Sequence, residues 1–217
     1  MNRAGLRTGL LGGSFNPAHR GHRAISLHAL RALALDEVWW LISPGNPLKA
    51  GAPDMAPLAA RMASAQAMAA RAPIRVTAIE RDLGTRYTAD TLPVLLRRFP
   101  HRRFIWLMGA DNLATFRRWR DWRQIARTLP IAAIGRPGYD GQARAARAMG
   151  WLGRFVQRPD QATRWTEWSP PALVLLRLPP DPTSATAIRA RDPDWSRHLT
   201  GAIVDEVTRR LIPKEPI

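Results

Sequence analysis

Cysteine is absent from this chain of 217 residues, which excludes disulfides and thiolate metal sites. No apolar run is long enough to cross a bilayer, and no segment with a secretory cleavage site stands ahead of the first apolar run. A cytoplasmic enzyme with no membrane partner is the default expectation. Neither the dinucleotide fingerprint GxGxxG nor the phosphate loop GxxxxGK(S/T) occurs. No internal repeat or low-complexity linker divides the chain. Lysine is almost missing too: only two are present, one of them Lys49. The net charge of +16 therefore rests almost wholly on arginine, and a pI of about 11.7 invites a nucleic-acid reading. The arginines are spread along the whole length, beside abundant alanine and proline, which resembles a GC-rich coding bias more than a dedicated basic stripe. The expectation is no nucleic-acid partner, with the excess charge attracting anionic nucleotides.

What is present alternates. Short apolar runs at residues 6–11, 38–42, 74–78, 104–108, 131–134 and 173–178 read as buried strands. Helical patterns lie between them at 21–34, 57–71, 89–98, 122–127 and 142–149. Asp192-Pro193 is a break, and 201–211 reads as a closing helix. The stretch 151–171 is the least regular and reads as a loop or flap. Such alternation predicts an α/β fold with a doubly wound, mostly parallel sheet, and the length suits a single domain over residues 1–217. In such sheets the ligand crevice lies at the carboxyl ends of the strands.

The most informative stretch, residues 10–22, falls at one such end: Leu-Leu-Gly-Gly-Ser-Phe-Asn-Pro-Ala-His-Arg-Gly-His. A strand runs into a Gly-Gly turn, and two histidines three residues apart stand where a helical pattern begins. Glycine lets the backbone approach a phosphate, and the free N–H groups of a helix start face it. His19 and His22 add side-chain donors on roughly one helical face. Alone, a Gly-Gly is a turn and a histidine pair a surface pair. Together they form an anion site.

Six further clusters fall near strand ends or helix starts. Lys49 follows the second strand, as a solvated loop residue or as a mobile charge over a phosphate. Tyr87 and Thr88 open a helix, Thr88 as its cap or with Tyr87 as ligand contacts. Gly109 and Asp111 follow the fourth strand, where an acidic group often accepts from ribose hydroxyls; a helix cap by Asp111 or Asn112 is the alternative. Phe116, Trp119 and Trp122 recur at helical spacing. Such a stripe suits a core, yet Trp119 is flanked by arginines and suits stacking on a heteroaromatic ring. Arg136 sits in a turn after the fifth strand and could fork onto a phosphate or carboxylate. Last, Ser184 and Thr186 stand at a helix start with Arg189 one turn on, a second phosphate cradle.

The segment Gly12 to His22 resembles the GxFDPxHxGH signature of the nucleotidylyltransferase superfamily. With the TSATAIR stretch at 183–189, YTxxT at 87–91, GxD at 109–111, the following tryptophan and Arg-Pro-Gly-Tyr at 136–139, the chain resembles the bacterial nicotinate-nucleotide adenylyltransferases over nearly its full length. That resemblance implies a Rossmann-like fold and transfer of the adenylyl group of ATP to nicotinic acid mononucleotide, with magnesium, giving deamido-NAD and pyrophosphate. It implies that His19, His22, Lys49, Ser184 and Arg189 contact the ATP phosphates. Gly12, Gly13, Ser14, Phe15 and Gly21 would lie along the nucleotides, with Thr186 at the second cradle. Gly109 and Asp111 would hold the ribose or adenine of ATP. Asn16, Tyr87, Thr88, Trp119 and Arg136 would face the mononucleotide, and no residue is implied as a metal ligand. The sequence departs from the signature at Asn16, where aspartate is usual, and at Arg120, where an aromatic is often found. The alternatives are a related enzyme with another phosphate acceptor, which would not need the Trp119 pocket, and a non-catalytic nucleotide- or RNA-binding protein, which would release no pyrophosphate.

Overall fold

The computed structural model describes residues 5–44, 54–135, 146–179, 183–199 and 201–213. Seven parallel strands form one sheet in the order β3-β2-β1-β4-β5-β7-β6: β1 (Leu6–Gly13), β2 (Glu37–Ile42), β3 (Ile74–Thr77), β4 (Arg102–Gly109), β5 (Ile131–Gly135), β6 (Val156–Gln157) and β7 (Leu173–Arg177). Helices α1 (Arg20–Ala32), α2 (Leu58–Ala69), α3 (Ile79–Leu83), α4 (Thr88–Arg98), α5 (Ala110–Thr115), α6 (Trp122–Thr128), α7 (Met149–Leu152) and α8 (Ala185–Arg191) connect or follow them.

Period-two alternation explains the double burial. Leu11, Trp40, Ile42, Ile105 and Leu107 pack on one face with α1 and α2. Their chain neighbours Leu10, Trp39, Leu41, Trp106 and Met108 pack on the other with α4, α5 and α6. From β1 the chain winds outward through β2 and β3, then returns to pair β4 on the opposite side of β1. The carboxyl ends of β1 and β4 are thus a topological switch point, where an open α/β sheet leaves a crevice.

The six expected strands are all present, as is the doubly wound parallel sheet. Three expectations are corrected, and a fourth lies largely outside the described residues. Gly12 and Gly13 are not a turn: they extend β1 and pair with Leu41 and Ile42, so the chain turns only after Gly13. The stretch 151–171 is no loose flap. It contributes β6 and a 3-10 helix (Pro159–Glu167), and buried Trp165 donates its indole N–H to the Leu33 carbonyl at 3.0 Å. The closing helix at 201–211 is instead a two-stranded antiparallel hairpin, β8 (Ile203–Val204) and β9 (Leu211–Ile212). The reason is polar: the buried Asp205 carboxylate accepts from the Val207 and Thr208 N–H groups, closing a turn that a helix would not allow. It also accepts from the Thr77 hydroxyl and the Ala78 N–H. Finally, the helical pattern at 142–149 falls largely outside the described residues, and Met149 begins the short α7.

Candidate active site

The crevice above β1 and β4 has a volume of about 930 Å³, in the range of small-molecule sites. Its first wall is the motif loop and the head of α1. His19 caps that helix: its Nδ1 accepts from the Gly21 N–H at 3.1 Å, while the His19 N–H donates to His22 Nδ1 at 3.2 Å. Each neutral ring then carries its proton on Nε2, as a donor. The rings lie 3.9 Å apart and both line the crevice. Burial, and then the neighbouring His19, push the His22 pKa down to about 3. His22 is therefore a neutral N–H donor at physiological pH and a poor base there. Gly21 permits this arrangement, since a Cβ there would stand 2.9 Å from the His19 ring.

Phe15 has a packing job for its side chain, beside whatever its backbone contacts. Its φ is +47°, an uncommon value for a bulky residue. Its buried ring sits 4.5 Å from His22 and 5.0 Å from Trp40, propping His22 from behind. Asn16 likewise turns inward and is 3% exposed. Its side-chain amide donates to the Asp54 carbonyl (2.8 Å) and its oxygen accepts from the Ala56 N–H (3.1 Å). A carboxylate could accept but not donate, so asparagine suits this clip better than the usual aspartate. Arg61 completes the scaffold. This buried guanidinium donates to the carbonyls of Ser14 (2.9 Å), Ser43 (2.8 Å) and Ala56 (2.9 Å), tying three loop segments together.

Ser184 reaches the same end of the crevice. It caps α8, its hydroxyl accepting from the Ala187 N–H at 3.2 Å. Arg189 is engaged elsewhere, donating to the Asn16 carbonyl (2.6 Å) and pairing with Asp54 (2.8 Å). Thr186 is exposed on α8 and is not part of the crevice wall. Lys49 and Arg136 lie outside the described residues.

The second wall carries Tyr87, Thr88, Gly109, Asp111 and Trp119, with Gly12, Gly13 and Ser14 along the floor. Tyr87, not Thr88, occupies the cap position of α4, and Gly109, not Asp111 or Asn112, that of α5. The aromatic stripe divides its roles. Phe116 is fully buried core, whereas Trp119 is half-buried and lines the crevice, edge-on to Phe116 and Trp106. Arg120 stacks over Tyr87 at 4.6 Å and pairs with Asp90 and Asp121. Arg86 and Arg118 add further positive charge to this wall.

Several lining residues escaped the sequence reading. Glu80 is buried in α3, and its carboxylate accepts from the Thr91 hydroxyl at 3.1 Å. Desolvation raises its pKa to about 7, with the Thr91 bond opposing the shift. Its signal was available: a charged residue three positions beyond the end of β3. Arg61, behind the lining, had one too, as the one charged residue in the apolar stretch LAARMASAQAMA. Trp106 and Ser43 had none, lying in or beside strands that read as ordinary core.

Residues 10–191 match the cytidylyltransferase-like family model. A curated relative from Erythrobacter litoralis, described as "Probable nicotinate-nucleotide adenylyltransferase", is 62% identical over 210 residues, covering 96% of this chain and 95% of that protein. One of the same description from Parvibaculum lavamentivorans is 50% identical over 192 residues, covering 88% and 94%. Among solved structures, the Plasmodium falciparum nicotinic acid mononucleotide adenylyltransferase complexed with NaAD aligns with a TM-score of 0.60 at 15% identity. It covers 85% of this chain and 83% of that one, a likeness of fold.

Proposed function

The chain belongs to the nicotinate-nucleotide adenylyltransferases, within the cytidylyltransferase-like family, and from that premise we propose how its crevice transfers the adenylyl group of ATP to nicotinic acid mononucleotide. One observation carries the assignment of roles: a single cavity joins a wall of imidazole donors at a helix head to a wall with a half-buried tryptophan amid arginines. The first suits phosphates and the second a pyridine ring.

The acceptor phosphate is largely dianionic at neutral pH, its second pKa being about 6. It attacks the α-phosphorus of ATP, the bond to the bridging oxygen breaks, and pyrophosphate leaves. No protein nucleophile or base is required. His19 and His22 donate from Nε2 to phosphate oxygens whose charge grows in the transition state, and Gly13 and Ser14 hold the approach open. Ser184 and Lys49 act at the same phosphates. Arg189 joins them by exchanging Asp54 for phosphate oxygens. Gly109 and Asp111 take the ATP ribose or adenine. Tyr87, Thr88, Trp119 and Arg136 take the mononucleotide, with Arg86 and Arg118 favouring an acidic pyridine over its amide.

Magnesium enters with ATP as part of the substrate and neutralises phosphate charge. Among the described residues no cluster of three or more His, Asp or Glu could hold a resident ion. Among those residues no helix is long and apolar enough to cross a membrane. We place the enzyme in the cytoplasm, as one domain.

The test is pyrophosphate release with ATP and magnesium, comparing nicotinic acid mononucleotide, nicotinamide mononucleotide and phosphopantetheine. Strong preference for the acid is expected. Preference for another acceptor overturns the pyridine wall, and no release with any of them overturns the roles of His19 and His22.

A further inference from the structure

Among the described residues, two buried side-chain polar atoms have no hydrogen-bond partner: Ser43 Oγ and Trp106 Nε1. Both residues line the crevice. Buried polar groups in native proteins are nearly always paired, so two exceptions at one cavity point to a partner that arrives with the ligand.

Trp106 is the stronger case, because its own kind provides the comparison. Four tryptophans are buried among the described residues. Trp39 donates its indole N–H to Glu37 Oε1 at 2.7 Å, Trp40 to Ser26 Oγ at 2.8 Å, and Trp165 to the Leu33 carbonyl at 3.0 Å. Trp106, 2% exposed, alone has none. Its position is also built. The six-membered ring lies across the end of β1, where a Cβ on Gly12 would come within 2.7 Å of Cη2, so the glycine makes room for an indole. On its other side the ring meets Trp119 edge-on, with centroids 6.2 Å apart. A phenylalanine would serve a purely apolar role in this strand without an N–H to satisfy.

We propose that the Trp106 indole N–H donates a hydrogen bond to an oxygen of the acceptor mononucleotide, making Trp106 an acceptor-binding residue beside Trp119. The inference rests on the reading that the Trp119 wall holds the acceptor. The oxygen belongs to the pyridine carboxylate, to the ribose or to the phosphate, and these share the chemistry of a hydrogen-bond acceptor presented to a dry donor. Pairing a buried donor with such an oxygen is worth roughly ten- to a hundredfold in affinity.

The test is calorimetric binding of nicotinic acid mononucleotide to the full chain and to Trp106→Phe, with steady-state KM for ATP alongside. Tenfold or greater weakening of the mononucleotide, with the KM for ATP within twofold, supports the proposal. Repeating the pair with nicotinamide mononucleotide narrows the oxygen: a penalty confined to the acid assigns the carboxylate, and an equal penalty assigns an oxygen that both ligands carry, in the carbonyl of the ring substituent, the ribose or the phosphate. A packing role alone would affect both substrates alike. The wild-type protein supplies a second readout, in the indole ¹H–¹⁵N resonance that Trp106→Phe removes. It is expected to move downfield and to exchange more slowly with water when the mononucleotide is added without ATP. Unchanged affinity in Trp106→Phe, or an unmoved indole resonance in wild type, overturns the proposal. Trp119→Ala keeps the two readings apart. If it abolishes mononucleotide binding while Trp106→Phe does not, the wall is right and Trp106 is not its donor. If it leaves binding intact, the wall itself is misplaced and the proposal falls with it.

Discussion

At the scale of single residues, the site works by withholding charge as much as by supplying it. A protonated His22 would attract phosphate more strongly, yet burial against Phe15 and Trp40 keeps it neutral. What remains is a directed N–H, useful where negative charge develops and indifferent to pH over the working range. His22→Ala is expected to lower turnover by roughly 10²-fold or more, as loss of one oxyanion donor does. Steady-state assays decide this, and near-normal turnover removes His22 from the mechanism. Glu80 shows the opposite device. Its pKa, raised by burial from 4.5 to about 7, favours the protonated form in the fold. That contribution to stability is complete below pH 4.5 and is lost as pH rises through 7. Glu80→Gln, which keeps an acceptor for Thr91, should therefore match wild type in thermal melts near pH 4.5. At pH 8 it should be the more stable, by on the order of 3 kcal/mol. The same scale shows where a motif stops speaking. That its histidines and glycines come together at one place was readable because helix-start geometry is local. Phe15 and Asn16 were not readable, because their partners, Trp40 and the backbone at 54 and 56, are distant in sequence.

At the scale of elements, strands were legible and the chain's end was not. Apolar runs bounded by turn residues mark buried parallel strands regardless of context. The pattern at 201–211 failed because its polar residues are committed to other parts of the fold. Glu206 donates its N–H to the Val76 carbonyl, and its carboxylate accepts the Val76 N–H at 2.6 Å. Asp205 binds Thr77 and Ala78 at the same place. Helical periodicity cannot register a partner some 130 positions away. Removing that anchor exposes its weight: Asp205→Ala leaves the Ala78 N–H and the Thr77 hydroxyl buried without an acceptor. The expected cost is about 2–4 kcal/mol, a fall in Tm of roughly 5–15 °C. Because α3 starts one residue beyond Ala78, the KM for the mononucleotide should rise as well. An unchanged Tm would mean that the hairpin merely rests on the sheet.

At the scale of the whole molecule, the arginine excess has a use without being a binding stripe. The net charge of +16 surrounds a crevice whose substrates are both anions, and Arg86, Arg118 and Arg120 stand at its exposed rim. Long-range attraction of this kind is screened within about 10 Å at 0.1 M salt. Raising ionic strength from 0.05 to 0.5 M is expected to increase the KM of both substrates several-fold while kcat changes by less than twofold. A salt-independent KM would leave the charge as a compositional accident.

For a chain made from its N-terminus onward, the placing of Asp205 sets an order of events. The signature loop, both histidines and the strands they stand on leave the ribosome early. The wall bearing Glu80 is clamped only when Asp205, more than 120 residues further on, has emerged to reach back to Thr77 and Ala78. Domains generally fold as units during synthesis, and here one fastening of the sheet lies far along the chain from the strand it holds. A chain made only as far as the signature loop and its strands thus lacks the contacts of Asp205 to Thr77 and Ala78, and the crevice wall beyond β3 waits for them.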